Sequence, residues 1–232
     1  MNLIVEEMLP AISKENKLAE FCDVFCENGW FTPEDTRVIM KAAKKHKLKV
    51  RVHADEFQDS EAATTAVKLR AYAADHLMAV SSKGIKSLAK KNSITVATIL
   101  PGTTVFLGLK QFAPAREMID QGIEVAIGTD FNPGSCAFNS QALMMNLAIA
   151  NCKLSLEEAF NGVTKTAAKS LRRNKVGYIG EGAKADLLVW NLESLEQIPY
   201  YSTESASKID LFLKNGKPFT LKKVEKVGLV KA

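Results

Sequence analysis

Hydrophobic positions along this chain switch repeatedly between a helical period and a strand period, and the switches assign its elements. The spacing predicts a helix over Leu3–Ala19 and a strand over Phe21–Glu27, with Cys22, Val24 and Cys26 sharing one face. Thr32-Pro33 opens the next helix, with a hydroxyl at the N-cap and proline in the first turn. A strand at Lys49–Ala54, a helix at about 59–71 and a short strand ending at His76 follow. A helix near 83–91, a strand at Ile94–Leu100, a helix at Pro114–Gln121 and a strand at Ile123–Thr129 complete the series. Strands separated by helices in this way predict parallel pairing with right-handed crossovers.

Beyond this series the texture changes. Asn139–Cys152 is an apolar helix, and Ser155-Leu156-Glu157-Glu158 is a capping box that starts another helix running to about Arg173. From Gly177 the chain turns to glycines and short strands, with a strand at Lys208–Leu213 and a hairpin signal at Asn215-Gly216. The pattern predicts an α/β portion over 1–176 and part of a small β-rich domain over 177–232.

Three predicted strands end in residues that carry chemistry. His53-Ala54-Asp55-Glu56 closes the second, Asp75-His76 the third, and Thr129-Asp130-Phe131-Asn132-Pro133-Gly134-Ser135 the last. In a barrel of alternating strands and helices, the C-terminal strand ends are where active sites sit. The chain has only three histidines, and two of them fall at these ends. His46, the third, reads as a solvated cation in the last turn of a lysine-rich helix. Together His53, Glu56, His76 and Asp130 form a candidate site. Asn132, Gly134 and Ser135 have the chemistry of an ordinary Asn-Pro-Gly turn, and beside Asp130 they also fit a substrate-binding loop. Arg51 shares strand parity with His53 and is expected to face the same interior.

Composition narrows the class without deciding it. The chain is 47% hydrophobic and 25% charged, as a soluble globular chain is. No apolar run approaches the ~20 residues of a membrane span, and the first residues lack the basic start and apolar core of a signal peptide. A cytoplasmic protein with no membrane partner is the expectation. The net charge is +5, but its lysines lie on a helix (Lys41, Lys44, Lys45, Lys47) and in the tail (Lys222, Lys223, Lys226, Lys231) with no interleaved aromatics. A nucleic-acid partner is therefore not expected. Cys22, Cys26, Cys136 and Cys152 lack zinc-ribbon or secreted-framework spacing, and Cys22 and Cys26, on one strand face, read as buried thiols.

The order His-x-x-Glu, Ala-Asp-His, Leu-Pro-Gly-Thr (Leu100–Thr103) and Thr-Asp-Phe-Asn-Pro-Gly-Ser resembles the imidazolonepropionase family of the amidohydrolase superfamily. Asp23-Val24-Phe25-Cys26-Glu27 is similar to the preceding strand in that family, and Gly177–Leu187 to the return into its β-domain. The resemblance covers almost the whole chain and implies a partial TIM (β/α)8 barrel of about five βα units, followed by part of a composite β-domain. Members of the family are nearly twice as long and begin with a strand ending in His-x-His, a pair this sequence lacks. The resemblance thus implies a fragment, a split gene product or a separately expressed C-terminal portion, without strands one to three.

The chemistry this implies can be placed on residues. His53 and Asp130 would be ligands of one divalent metal, zinc or iron, which activates a water. Asp130 would take that water's proton, His76 would polarise the developing oxyanion, and Glu56 would bind substrate and orient the water or pass a proton to the departing nitrogen. The substrate implied is 4-imidazolone-5-propanoate and the product N-formimino-L-glutamate, in histidine degradation, with a homodimer for the full-length protein. Two other readings stay open: another amidohydrolase such as a cytosine-type deaminase, and a non-catalytic half-barrel that needs a partner chain. Five strands alone should also leave two free edges and an uncovered apolar interior that includes parts of Val50, Val52, Val96 and Val125.

Overall fold

The computed structural model describes residues 1–14 and 19–219. A π-helical segment, Leu3–Met8, runs into α1 (Leu9–Lys14). The predicted first helix is thus observed as far as Lys14; residues 15–18 and the tail lysines Lys222, Lys223, Lys226 and Lys231 lie outside the described residues. The series continues with β1 (Phe21–Cys26), α2 (Pro33–Lys45), β2 (Lys49–Ala54), α3 (Ala62–Lys68), β3 (Ala73–His76) and α4 (Ser82–Leu88). It ends with β4 (Val96–Ile99), α5 (Pro101–Phe106), α6 (Ala115–Asp120) and β5 (Val125–Ile127). The five strands lie side by side in chain order, all parallel, as expected. Register sets His53 level with Phe25 of β1 and Asp75 of β3, and Ala54 level with His76.

The pleat decides what each face carries. Val50, Val52 and Ala54 are fully buried under α2 and α3, while Arg51 and His53 stay half-buried on the opposite, concave face. In β1, Val24 and Cys26 are buried and Cys22 half-buried, whereas Asp23 on the alternate face is exposed. This corrects the expected apolar interior. Val50, Val52 and Val125 are buried on the opposite face, while Val96, level with Ala73 and Arg51, is buried on the concave face beside Asp23, Arg51, His53 and Asp75. The expected edges are present: β1 and β5 each pair with one strand only.

Local chemistry explains the helix starts. Thr32 and Asp35 form a reciprocal capping box on α2, with Pro33 at the first helical position. At the start of α3 the N-cap residue Glu61 supplies no side-chain cap. Asp55, just past β2, does that work from inside the core. Its Oδ1 accepts from the amides of Ser60 (3.0 Å) and Ala62 (2.9 Å), and its Oδ2 from that of Ala63 (3.0 Å). The Ser60 hydroxyl lies 3.2 Å from both Asp55 Oδ1 and the Cys26 carbonyl, tying the cap to β1.

Two helices differ from expectation. The helix begun by the Ser155 capping box breaks at Thr164 (φ −122°, ψ −90°), so that α7 (Gln141–Cys152) is followed by α8 (Leu156–Val163) and α9 (Lys165–Ser170). The Thr164 hydroxyl donates to the Phe160 carbonyl at 2.7 Å, and Gly177 packs so close that a Cβ would sit 2.7 Å from the Thr164 oxygen. The helix α5 was not expected at all, because its six residues are too few to establish a period. Beyond Gly177, β6 (Leu187–Trp190), α10 (Gln197–Tyr200), a 3-10 turn (Ser205–Lys208), β7 (Ile209–Lys214) and β8 (Lys217–Phe219) complete the described chain. The strands form an antiparallel sheet in the order β6-β7-β8, and Asn215 and Gly216 both take positive φ in the predicted hairpin. The segment around α10 returns to α7, where Ser140 Oγ donates to Ser202 O at 2.6 Å and Asn146 Nδ2 to Pro199 O at 3.2 Å.

Replacing Asp55 by alanine strands two buried amides and one part-buried amide at once. Urea unfolding followed by circular dichroism should show a loss of roughly 2–4 kcal/mol. A loss below about 0.5 kcal/mol, the level of an ordinary surface change, would show that α3 does not depend on this carboxylate.

Candidate active site

Each of the three strands that carry the nominated side chains ends in a strained turn. Asp55 (φ 50°), His76 (φ 77°), Leu77 (φ 62°) and Asp130 (φ 53°) all occupy the left-handed region, which costs a side-chain-bearing residue about 1–3 kcal/mol. Such strain persists only where surrounding contacts hold it. Here it turns the chain sharply at the strand ends, so that functional groups stand over the sheet.

The structure brings His53, Glu56 and His76 together. The two imidazole rings lie 5.0 Å apart between centroids, and His76 Nδ1 is 3.4 Å from Glu56 Oε1. Glu56 and His76 are buried, and neither ring nitrogen of His76 has a hydrogen-bond partner. An orphaned pair of buried ring nitrogens costs on the order of 1–3 kcal/mol per group, so it points to a ligand. His53 Nδ1 lies 3.1 Å from Asp23 Oδ1, which leaves Nε2 as its free nitrogen. A carboxylate behind a histidine is the usual way a ligating ring is oriented.

Electrostatics separate the roles of these groups. Burial, reinforced by the charge of His53, pushes His76 down to about 3, so it is neutral near pH 7. Burial also pushes Glu56 up to about 7; the charges of Asp130 and Glu27 add to this and His53 opposes it. Glu56 is thereby poised to exchange a proton near neutrality. For His53, burial works against protonation, but the Asp23 hydrogen bond and the charges of Asp23, Asp75 and Glu56 outweigh it and hold the ring up at about 9. A position that retains a proton so strongly has negative potential, as a cation site needs.

Glu27, Asp23 and the pair Arg51–Asp75 support the site; of these, only the inward direction of Arg51 was expected from sequence. Glu27 is buried, and its Oε2 accepts from the amides of Glu56 and Phe57, each at 3.0 Å, fixing the turn that presents Glu56. Arg51 does face the interior, where it meets the buried Asp75 at 2.8 and 3.3 Å. Strand parity was the available signal, since Asp23, Arg51, His53 and Asp75 fall on one face. Among the described residues, the ligand atoms of Asp23, His53 and Asp75 all lie within 4.8 Å of one another. The Arg51 guanidinium on Asp75 makes this trio a supporting network rather than a cation cage, because the fixed cation already neutralises that carboxylate.

Asp130 stands outside that trio, half-buried at the end of β5 and near enough for its charge to act on Glu56. Thr103 Oγ1 donates to its Oδ2 at 2.6 Å. The loop that follows is organised by Asn132. Its Oδ1 accepts from the amides of Gly134 and Ser135, both at 2.8 Å, and its Nδ2 donates to Asp130 O (2.7 Å) and Ser135 Oγ (2.9 Å). The Asn132 amide is thus engaged within the loop, where it fixes the turn under Asp130. His46 ends α2 at the opposite end of β2, 3.1 Å from Ser13 Oγ.

A half-barrel that gathers His, Glu, His and Asp at the C-terminal ends of parallel strands defines the class of β/α-barrel enzymes that work at this face. Residues 27–224 match the model of the amidohydrolase family, and the chain belongs to that family. It is 44% identical over 211 residues to a protein named imidazolonepropionase from Bacillus cytotoxicus, covering 90% of this chain and 49% of the relative. It is 43% identical over 218 residues to one of the same name from Alkaliphilus oremlandii, covering 94% and 50%. The chain therefore spans about half the length of the curated relatives it matches. Solved structures agree at the level of fold. A 5-methylcytosine deaminase from Klebsiella pneumoniae superposes with a TM-score of 0.71 at 19% identity, covering 96% of this chain and 60% of the other. The A. niger ochratoxinase gives 0.72 at 20% identity, with 93% and 54% covered. Among the described residues no helix is long and apolar enough to cross a membrane.

Arg51→Leu leaves Asp75 buried without its cation and should cost roughly 3–5 kcal/mol in denaturant unfolding. Pairing it with Asp75→Leu should recover most of the loss. Equal losses in the single and double variants would refute the coupling.

Proposed function

We propose that this chain carries the C-terminal part of the barrel of a metal-dependent cyclic-amide hydrolase, which opens 4-imidazolone-5-propanoate to N-formimino-L-glutamate. The observation that carries the reading is His76: a buried, neutral imidazole with both nitrogens free, standing between Glu56 and His53. The substrate follows from relatives 43–44% identical that bear the name imidazolonepropionase. The likeness to a cytosine-type deaminase rests on fold alone and ranks second.

His53 Nε2 and the Asp130 carboxylate are the proposed ligands. Their donor set suits zinc or iron, and the negative surroundings of His53 fit a cation. Such an ion, when bound, supplies Lewis acidity and lowers the pKa of water toward ~7. Around it the side chains divide the work. Asp130 accepts the proton of the attacking water. Neutral His76 donates a hydrogen bond to the oxygen that gains charge, a task an imidazole performs without giving up its proton. Glu56, up at about 7, carries a proton to the departing ring nitrogen. Gly134 and Ser135 remain the proposed contacts of the substrate's polar groups, with Asn132 shaping the loop that presents them. The proposed setting is histidine degradation in the cytoplasm, with a homodimer for the full-length protein.

Only two ligands of this kind come from the present sequence. The chain alone should therefore bind zinc weakly and turn over imidazolone propionate negligibly. Adding the N-terminal half of a relative, fused or separate, should produce activity in an absorbance assay of imidazolone loss. His76→Asn or Asp130→Ala should then abolish it chiefly through kcat, while Lys45→Ala stays silent. Near-normal turnover by a folded, metal-loaded His76→Asn enzyme would refute the role given to His76.

A further inference from the structure

The motif Leu100-Pro101-Gly102-Thr103 follows β4 and meets the group assembled above only through Thr103, on Asp130. Its four positions each do something definite. Pro101 occupies the first position of α5, where its missing amide proton costs nothing. Leu100 lies against Gly128 at the end of β5, so closely that a Cβ on that glycine would sit 2.9 Å from Leu100 Cδ2. Gly102 lies against α7 and the loop after Asp130, where a Cβ would come 2.8 Å from Met144 Sδ and 3.1 Å from Cys136 Sγ. Two glycines thus let the β4 and β5 ends close on each other. The closure delivers Thr103, which is fully buried, to Asp130 with Oγ1 2.6 Å from Oδ2.

We propose that this motif exists to aim Asp130, and that Thr103 is the positioning residue that fixes Oδ2 and leaves Oδ1 for the site. The proposal rests on the reading of Asp130 as a metal ligand. A hydroxyl bound to a carboxylate at this distance is a strong, charge-assisted contact, and the burial of Thr103 shields its hydroxyl from water. Threonine is stiff at χ1, so the hydroxyl acts as a fixed point rather than a mobile partner. Among the described residues no other group hydrogen-bonds the carboxylate. The backbone of Asp130 is held separately, by Asn132 Nδ2 on its carbonyl at 2.7 Å, so that Thr103 controls the side chain and Asn132 the turn.

The test uses the chain as it stands and needs no turnover. In NMR spectra the Thr103 hydroxyl proton should give a slowly exchanging resonance that Asp130→Ala removes. Zinc titrations followed on the His53 ring protons should show Thr103→Val weakening the metal about tenfold, the range for loss of a ligand's hydrogen-bond partner. Thr103→Ser, which keeps the hydroxyl, should stay within about twofold of wild type. Adding Thr103→Val to Asp130→Ala should change nothing further, since the two act as a unit. Zinc affinity unchanged in Thr103→Val but lowered in Asp130→Ala would overturn the role of Thr103 alone. Zinc affinity unchanged in Asp130→Ala would overturn the ligand reading itself, and the inference with it.

Discussion

The period-two pleat of a parallel strand is the constraint on which the site depends. Burying Val50, Val52 and Ala54 against helices leaves Arg51 and His53 no alternative to the concave face. Alternation in β1 and the parallel registers then place Asp23 and Asp75 beside them. A shift of one residue in β2 would put Arg51 and His53 under the helices and its valines into the site. The hydrophobic core therefore enforces the active-site layout, and the same free energy that stabilises the sheet aims its chemistry.

Charge on that face has to be compensated in layers. Arg51 neutralises the buried carboxylate of Asp75, and so makes a floor of mixed charge under the two histidines. Above it, Asp23 and Glu56 surround His53 with negative potential, while His76 and Glu56 are buried in a way that disfavours charge on either. Residues one strand apart thus reach opposite protonation preferences: His53 is up at about 9 and His76 down at about 3. Pairs pushed apart in this manner are what general acid and base chemistry requires.

Much of this was legible in the sequence because it follows from period and position. The five strands, their parallel order, the strand-end location of His53, Glu56, His76 and Asp130, and the inward direction of Arg51 all derive from counting residues. What was not legible depends on which partners the folded chain brings together, near or far in sequence. Asp55 caps a helix from the end of the preceding strand, Glu27 holds a turn 29 residues away, and Thr103 reaches Asp130 across 27. None of these pairings leaves a periodic trace. The expected apolar interior failed for a related reason: valine was read as facing inward without carrying the parity of His53 through to Val50 and Val52, although both sit on the opposite face.

The same distinction bears on how far a half-length chain can hold a site. Positioning by the pleat, the Asp55 cap, the Glu27 clamp and the Arg51–Asp75 pair are all internal to the five βα units, so none of them needs a strand beyond β1 or β5. Ligation is different, because a cation is held by donors that converge from several directions, and the proposed ligands His53 and Asp130 stand at two strand ends. The unit therefore orients its candidate groups by packing alone. Orientation and ligation are separable in this fold: the first is fixed by packing within the sheet, and the second by which strands surround the site.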